Sequence, residues 1–116
     1  ASGVLTGGLA AKGEIVLFPF PYTDLSNRKL RPCLILSDEM NEDIILCQIT
    51  SKQIQSDKFS LELKKTETED GSLMIDSYIR TNMLFTAAKS QIERKVCKLT
   101  SKKYKNVADL IYKIIS

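Results

Sequence analysis

Arg31 stands directly before Pro32 in the stretch FPFPYTDLSNRKLRPCLILS, residues 18–37. The residue before a proline is pushed towards extended backbone, and Pro32 cannot donate to a strand ladder. The pair therefore reads as a strand start at a sheet rim. A guanidinium there keeps its charge at any ordinary pH and offers a planar fork of donors that fits a phosphate. The same arginine also reads as a solvated or salt-bridged surface residue. A second group ends the run ILCQITSKQ, where Thr50 and Ser51 are followed by Lys52 and Gln53. Hydroxyls, a cation and an amide at a strand exit suit phosphate or ribose oxygens. They are also ordinary turn residues. In YIRTN, Arg80 and Asn82 fall on one face of a predicted strand, a pattern shared by solvated strand faces. The acids of TETED cluster in a turn and read as a solvated loop, not a catalytic pair.

Other chemistry is narrowed by what the chain lacks. It has no His, and Cys33, Cys47 and Cys97 show no C-x-x-C spacing, which argues against a zinc site and a cofactor of that kind. Without a neighbouring base these thiols are poor nucleophiles, and two of them fall among Leu and Ile, so they read as reduced core residues of a cytoplasmic protein. A net charge of +3 permits a polyanionic partner without requiring one. The clustering of Arg28, Lys29 and Arg31 in one turn, and of Lys52 and Lys58 in another, is more informative than the sum.

The elements that must hold these residues are short. With 116 residues, 43% hydrophobic and 27% charged, the chain reads as one soluble domain. No apolar run approaches the roughly 18–20 residues of a bilayer-spanning helix, so no membrane is expected. Residues 1–11 lack the pattern of a secretory signal and read as a flexible arm or vector remnant, and residues 12–116 as the domain. A first strand over Ile15–Phe18 is expected to end at the prolines. PCLILS and DIILCQIT form a hairpin around the charged turn 38–43, and FSLEL alternates with Phe59, Leu61 and Leu63 on one face. KKTETEDGS is a turn stopped by Gly71, LMIDSYIRTNML carries one or two strands, and KVCKLT is the last. FTAAKSQIERK includes a short helical turn. The tail then changes period: Tyr104, Val107, Ile111, Ile114 and Ile115 recur at helical spacing behind an N-cap at Thr100 or Ser101. Five to seven strands and one C-terminal helix predict a mainly β fold, a small, strongly bent antiparallel barrel packed by that helix.

These pieces in this order resemble the MazF/PemK family of toxins from type II toxin–antitoxin pairs, over Lys12 to about Thr100. KGEIVLFPFPYTDLSNRKLRPCLILS is similar to the family's opening strand, variable loop and Arg-Pro strand, in a form nearest the PemK-like branch. ILCQITSKQ matches its strand ending in Thr or Ser, and DSYIRTNMLFTAAKSQIERKVCKLT its later strand, short helix and last strand. The resemblance implies an SH3-like (CcdB/MazF-like) barrel, a homodimer, a cognate antitoxin, and metal-independent, sequence-selective cleavage of single-stranded RNA by 2′-OH attack, with no cofactor. DNA is a further partner it allows for the complex with antitoxin. Arg31 matches the catalytic arginine and Thr50 the catalytic hydroxyl. Tyr22, Ser26, Asn27, Arg28 and Lys29 match the segment that covers RNA, and Ser51, Lys52 and Gln53 lie at substrate contacts. Arg80 and Asn82 fall where some PemK-like members carry an Arg-x-Asp pair. Here Asn82 cannot accept a proton near neutral pH, and Phe85 and Ala88 stand where relatives often carry charge. The same barrel also serves non-catalytic roles, as a CcdB-like topoisomerase poison or a protein that only binds RNA or its antitoxin.

Overall fold

A computed structural model describes residues 10–21, 28–52 and 58–116, with backbone alone at Pro21 and Arg28. Almost all of the expected N-terminal arm thus lies outside the described residues. The strands are β1 (Glu14–Pro21), β2 (Arg28–Ile35), β3 (Asp43–Thr50), β4 (Ser60–Leu63), β5 (Thr68–Glu69), β6 (Ser77–Ala88) and β7 (Arg94–Leu99), followed by α1 (Ser101–Ile115). They form one antiparallel sheet in the order β4-β6-β3-β2-β1-β7-β5, and the molecule is mainly β with a C-terminal helix, as expected.

Both faces of the central strands are buried, because the sheet bends around one core and carries a second on its other side. Ile15, Leu34, Ile49, Ile79, Cys97 and Val107 belong to the first cluster, and Val16, Phe18, Cys33, Ile35, Ile44 and Leu46 to the second. Neighbours in sequence such as Ile15 and Val16 thus serve different cores. This is why β1, β2 and β3 read as near-continuous apolar runs rather than clean alternations. Packing of Tyr104, Val107 and Ile111 of α1 closes the first cluster, and the Tyr104 hydroxyl donates to the Leu36 carbonyl at 3.0 Å. Thr100 caps the helix by accepting from the Lys103 amide. The helical period extends further than the packing: Ile114 and Ile115 are exposed.

Three boundaries differ from expectation. β1 runs through its prolines, with Pro19 opposite Leu30 and Pro21 opposite Arg28. Its pairing with β7 covers only Glu14–Leu17, so beyond Leu17 no strand among the described residues pairs with its second edge. Prolines two residues apart can turn their missing donors to that edge. TETED contains the two-residue strand β5, which pairs with β7 through Thr68 and Leu99. Phe59 lies before β4 and is exposed. The short helical turn is a 3₁₀ turn over Lys89–Gln91.

Candidate functional site

Arg31 is not at the start of β2 but four residues in, opposite Phe18 of β1. Its place at a rim has another origin. The β2–β3 ladder is only three pairs long, from Ile35–Leu46 to Cys33–Gln48. Beyond it β2 stays paired with β1 and β3 stays paired with β6 as far as Thr50–Tyr78, so the two strands part. Continuing the register two residues past Cys33–Gln48 sets Arg31 and Thr50 on opposite sides of this fork. A cleft of about 670 Å³ opens there, lined by both residues.

Lys29, Arg31, Lys52 and Arg94 line the cleft together with the hydroxyls of Thr50, Ser51 and Ser77, and no Asp or Glu is among its described lining residues. The remainder of its lining is apolar, including Leu17, Ile49, Leu73 and Val96. Thr50 Oγ1 accepts the Lys52 amide at 3.2 Å, which folds the strand exit back and sets the orientation of the hydroxyl. The segment 73–77 forms the far lip, where Met74 is 90% exposed.

Of the residues singled out from sequence, Lys29, Arg31, Thr50, Ser51 and Lys52 are brought together. Arg28 opens β2, with only its backbone described. Tyr22, Ser26, Asn27 and Gln53 lie outside the described residues. Arg80 and Asn82 do not line the cleft. Arg80 is paired with Gln48, half-buried, and its Nε has no hydrogen-bond partner among the described residues. Asn82 is exposed at the irregularity where the β3–β6 register shifts from Gln48–Arg80 to Cys47–Leu84, so the simple alternation expected for Arg80 and Asn82 is interrupted. Arg94 escaped the sequence reading. No local motif marks it, and it reaches the cleft only because β7 pairs with β1 at Leu17.

The cysteines do not contribute a nucleophile. Burial pushes the Cys33 thiol up to about 12, with the nearby Arg31 charge pulling the other way, and burial likewise pushes Cys47 up to about 12. All three are free and buried, burial pushes Cys97 up as well, and thiols held as high as Cys33 and Cys47 carry almost no thiolate at neutral pH.

The molecule is thus a small, mainly β protein whose bent antiparallel sheet opens a basic, hydroxyl-lined cleft at its fork. The family of PemK-like, MazF-like toxins of type II toxin–antitoxin systems matches residues 11–115, and the chain belongs to it. Comparison with proteins of curated function finds no match by sequence. Among solved structures, an endoribonuclease in complex with its cognate antitoxin from a mycobacterial species superposes with a TM-score of 0.72 at 11% identity, over 91% of this chain and 94% of that one. MazF from the MazE–MazF complex of Deinococcus radiodurans gives 0.71 at 13%, over 95% and 98%. The Mycobacterium tuberculosis toxin MazF-mt6 gives 0.66 at 16%, over 88% and 95%. At these identities the likeness is one of fold.

Proposed function

We propose that this toxin is an endoribonuclease that cuts single-stranded RNA in the cytoplasm, at preferred sequences and without a metal. The observation that carries the reading is the placing of Arg31 and Thr50 on the two arms of the fork, as lining residues of one cleft that offers cations and hydroxyls to a phosphodiester. Cleavage by the ribose 2′-OH uses a nucleophile already in the substrate, so no water needs activation by a metal. As the 2′-oxygen attacks, the phosphorane gains negative charge, and the Arg31 guanidinium stabilises it. Thr50, held by the Lys52 amide, positions the phosphate or the attacking hydroxyl. Neither a carboxylate nor an imidazole lines the cleft among the described residues, so the 2′-OH proton passes to water. The bond to the 5′-oxygen breaks, that oxygen takes a proton from water and leaves as a 5′-hydroxyl, and a 2′,3′-cyclic phosphate remains.

Two partners accompany this reading. The cognate antitoxin would place an acidic, partly apolar segment against Arg31, Lys29 and Lys52 over the apolar lining. Structural relatives crystallised with antitoxins support it. A second copy of the chain would complete a homodimer. The decisive experiment incubates the purified chain with a long mixed-sequence RNA in EDTA. Discrete fragments ending in cyclic phosphate are expected; RNA that stays intact overturns the nuclease. Adding the product of a small neighbouring reading frame should then stop cleavage, and cleavage undiminished at saturation overturns the assignment of that antitoxin.

A further inference from the structure

A second concavity lies on the sheet beside Arg31. This groove of about 300 Å³ is lined by Phe18, Pro19, Phe20, Gln48, Met83, Leu84 and Phe85. Its three aromatic rings meet edge to face, with centroids 5.3–5.8 Å apart. Phe18 is buried, whereas Phe20 and Phe85 are only half-buried and Leu84 is 40% exposed. Among the described lining residues the only polar side chain is the amide of Gln48.

Strand register fixes what surrounds the groove. Phe18 is opposite Arg31, Phe20 is opposite Lys29, and Gln48 is opposite Arg80. Ile49 and Ile79 point into the first core, so Gln48 and Arg80 leave the sheet on the other face, which Phe18 and Cys33 share. An apolar slot with aromatic walls and one amide is thus flanked by three cations, one of them the proposed catalytic arginine. A purely apolar protein contact would match only the aromatic walls. A nucleotide matches walls, amide and cations together: its phosphates meet the cations, its base lies against aromatic surface, and an amide, which both donates and accepts, reads the base edge.

We infer that the groove formed by Phe20, Phe85 and Gln48 is a nucleobase subsite that holds one base next to the scissile phosphate and sets the sequence preference of cleavage. The inference rests on the RNA reading of Arg31 and Thr50. Phe20 and Phe85 supply stacking surface and Gln48 the discrimination, so the three are specificity-determining residues, separate from the groups acting on the phosphate.

The test uses a labelled RNA containing the cleavage site, made uncleavable by a 2′-deoxy sugar at the scissile nucleotide, with an abasic nucleotide scanned along it. For wild type, one abasic position beside the scissile phosphate should weaken binding roughly 10-fold, the scale of a lost base–aromatic stack. Phe85→Leu and Phe20→Leu keep the slot apolar and should weaken the intact oligonucleotide similarly while losing sensitivity to that one abasic position. Their dependence on salt should not change, because no charge has been removed. Gln48→Leu should relax base preference there, read as the ratio of kcat/KM for substrates differing in that base. Melting curves confirm that each variant is folded, and either leucine variant alone suffices. Leucine variants that respond to every abasic position as wild type does overturn the subsite while leaving the nuclease standing. A wild-type protein that neither binds nor cuts RNA overturns both.

Discussion

Arg31 and Thr50 are separated by 19 positions in sequence and by one fork in the sheet, and the proposed chemistry needs each for a different reason. Arg31 supplies charge where charge develops; Thr50 supplies a placed hydroxyl. Loss of one such preorganised donor costs about 2.7–4 kcal/mol, roughly 100- to 1000-fold in rate. Arg31→Ala and Thr50→Ala should each fall by that order in single-turnover cleavage of one RNA. Arg31→Lys should recover only part of the loss, since an ammonium is a point charge and cannot present a planar fork. Full activity in both alanine variants would remove the site assignment. Asn82→Asp probes the route this chain lacks. Asn82 is exposed and does not line the cleft, so a carboxylate there is expected to leave the rate unchanged within about twofold. A large gain would mean that the acid–base centre lies on β6 instead of at the fork.

The elements that hold the fork depend on a few local devices. Gly71 follows β5 with φ +130°, a region closed to side chains, and a Cβ there would come within 2.1 Å of the Val96 carbonyl on β7. Val96 also lines the cleft. Gly71→Ala should therefore destabilise by about 1–3 kcal/mol and reduce cleavage as well, measured by thermal melting alongside turnover. The turn before β5 is tied to α1 by Glu67, which accepts from the Lys64 amide at 2.9 Å and pairs with the buried Lys103 at 3.2 Å. Burial pushes the Glu67 carboxyl up, but these hydrogen bonds and the lysine charges outweigh it and hold it below the usual range. Its contribution is thus complete above the unfolded value, about 4.3, and is lost as pH falls through the lowered folded value. Glu67→Gln should cost about 1–2 kcal/mol at pH 7, below the loss for a fully buried pair because Glu67 is a third exposed. It should also flatten the fall in melting temperature between pH 5 and 3, with that pH range set by the ordinary carboxylate values; a parallel fall in both proteins contradicts the linkage. Such ties were partly legible from the chain alone. Thr100 as cap and the period of α1 were readable because both are local. The continuation of β1 through Pro19 and Pro21, the strand hidden in TETED and the bulge at Asn82 were not, since each depends on which neighbour a strand lacks or gains. The rim position of Arg31 was expected for a reason only half right: Pro32 restrains it, but the parting of β2 from β3 makes the rim.

At the scale of the whole molecule, the chain leaves apolar surface that its own cores do not use. Tyr112 and Ile115 at the end of α1 are 68% and 71% exposed, and Met74 on the cleft lip is 90% exposed. A 116-residue domain has little spare core, and scattered apolar side chains are unremarkable one by one, but a helix that keeps its apolar period past the last packed turn has surface for a partner. The proposed partner is a second copy, joined by a two-fold axis that would repeat every contact and set two basic clefts on one particle. A strand of RNA meeting two clefts at once gains affinity through effective concentration without any new contact type. Sedimentation at tens of micromolar, well above the concentration at which an interface of about 8 kcal/mol assembles, should give a species of about 26 kDa, twice the 13.0 kDa of one chain. Dilution through the dissociation range should lower cleavage per chain more steeply than mass action on RNA alone accounts for. A 13 kDa species throughout that range, with constant activity per chain, would make each cleft self-sufficient and remove the dimer from the proposal.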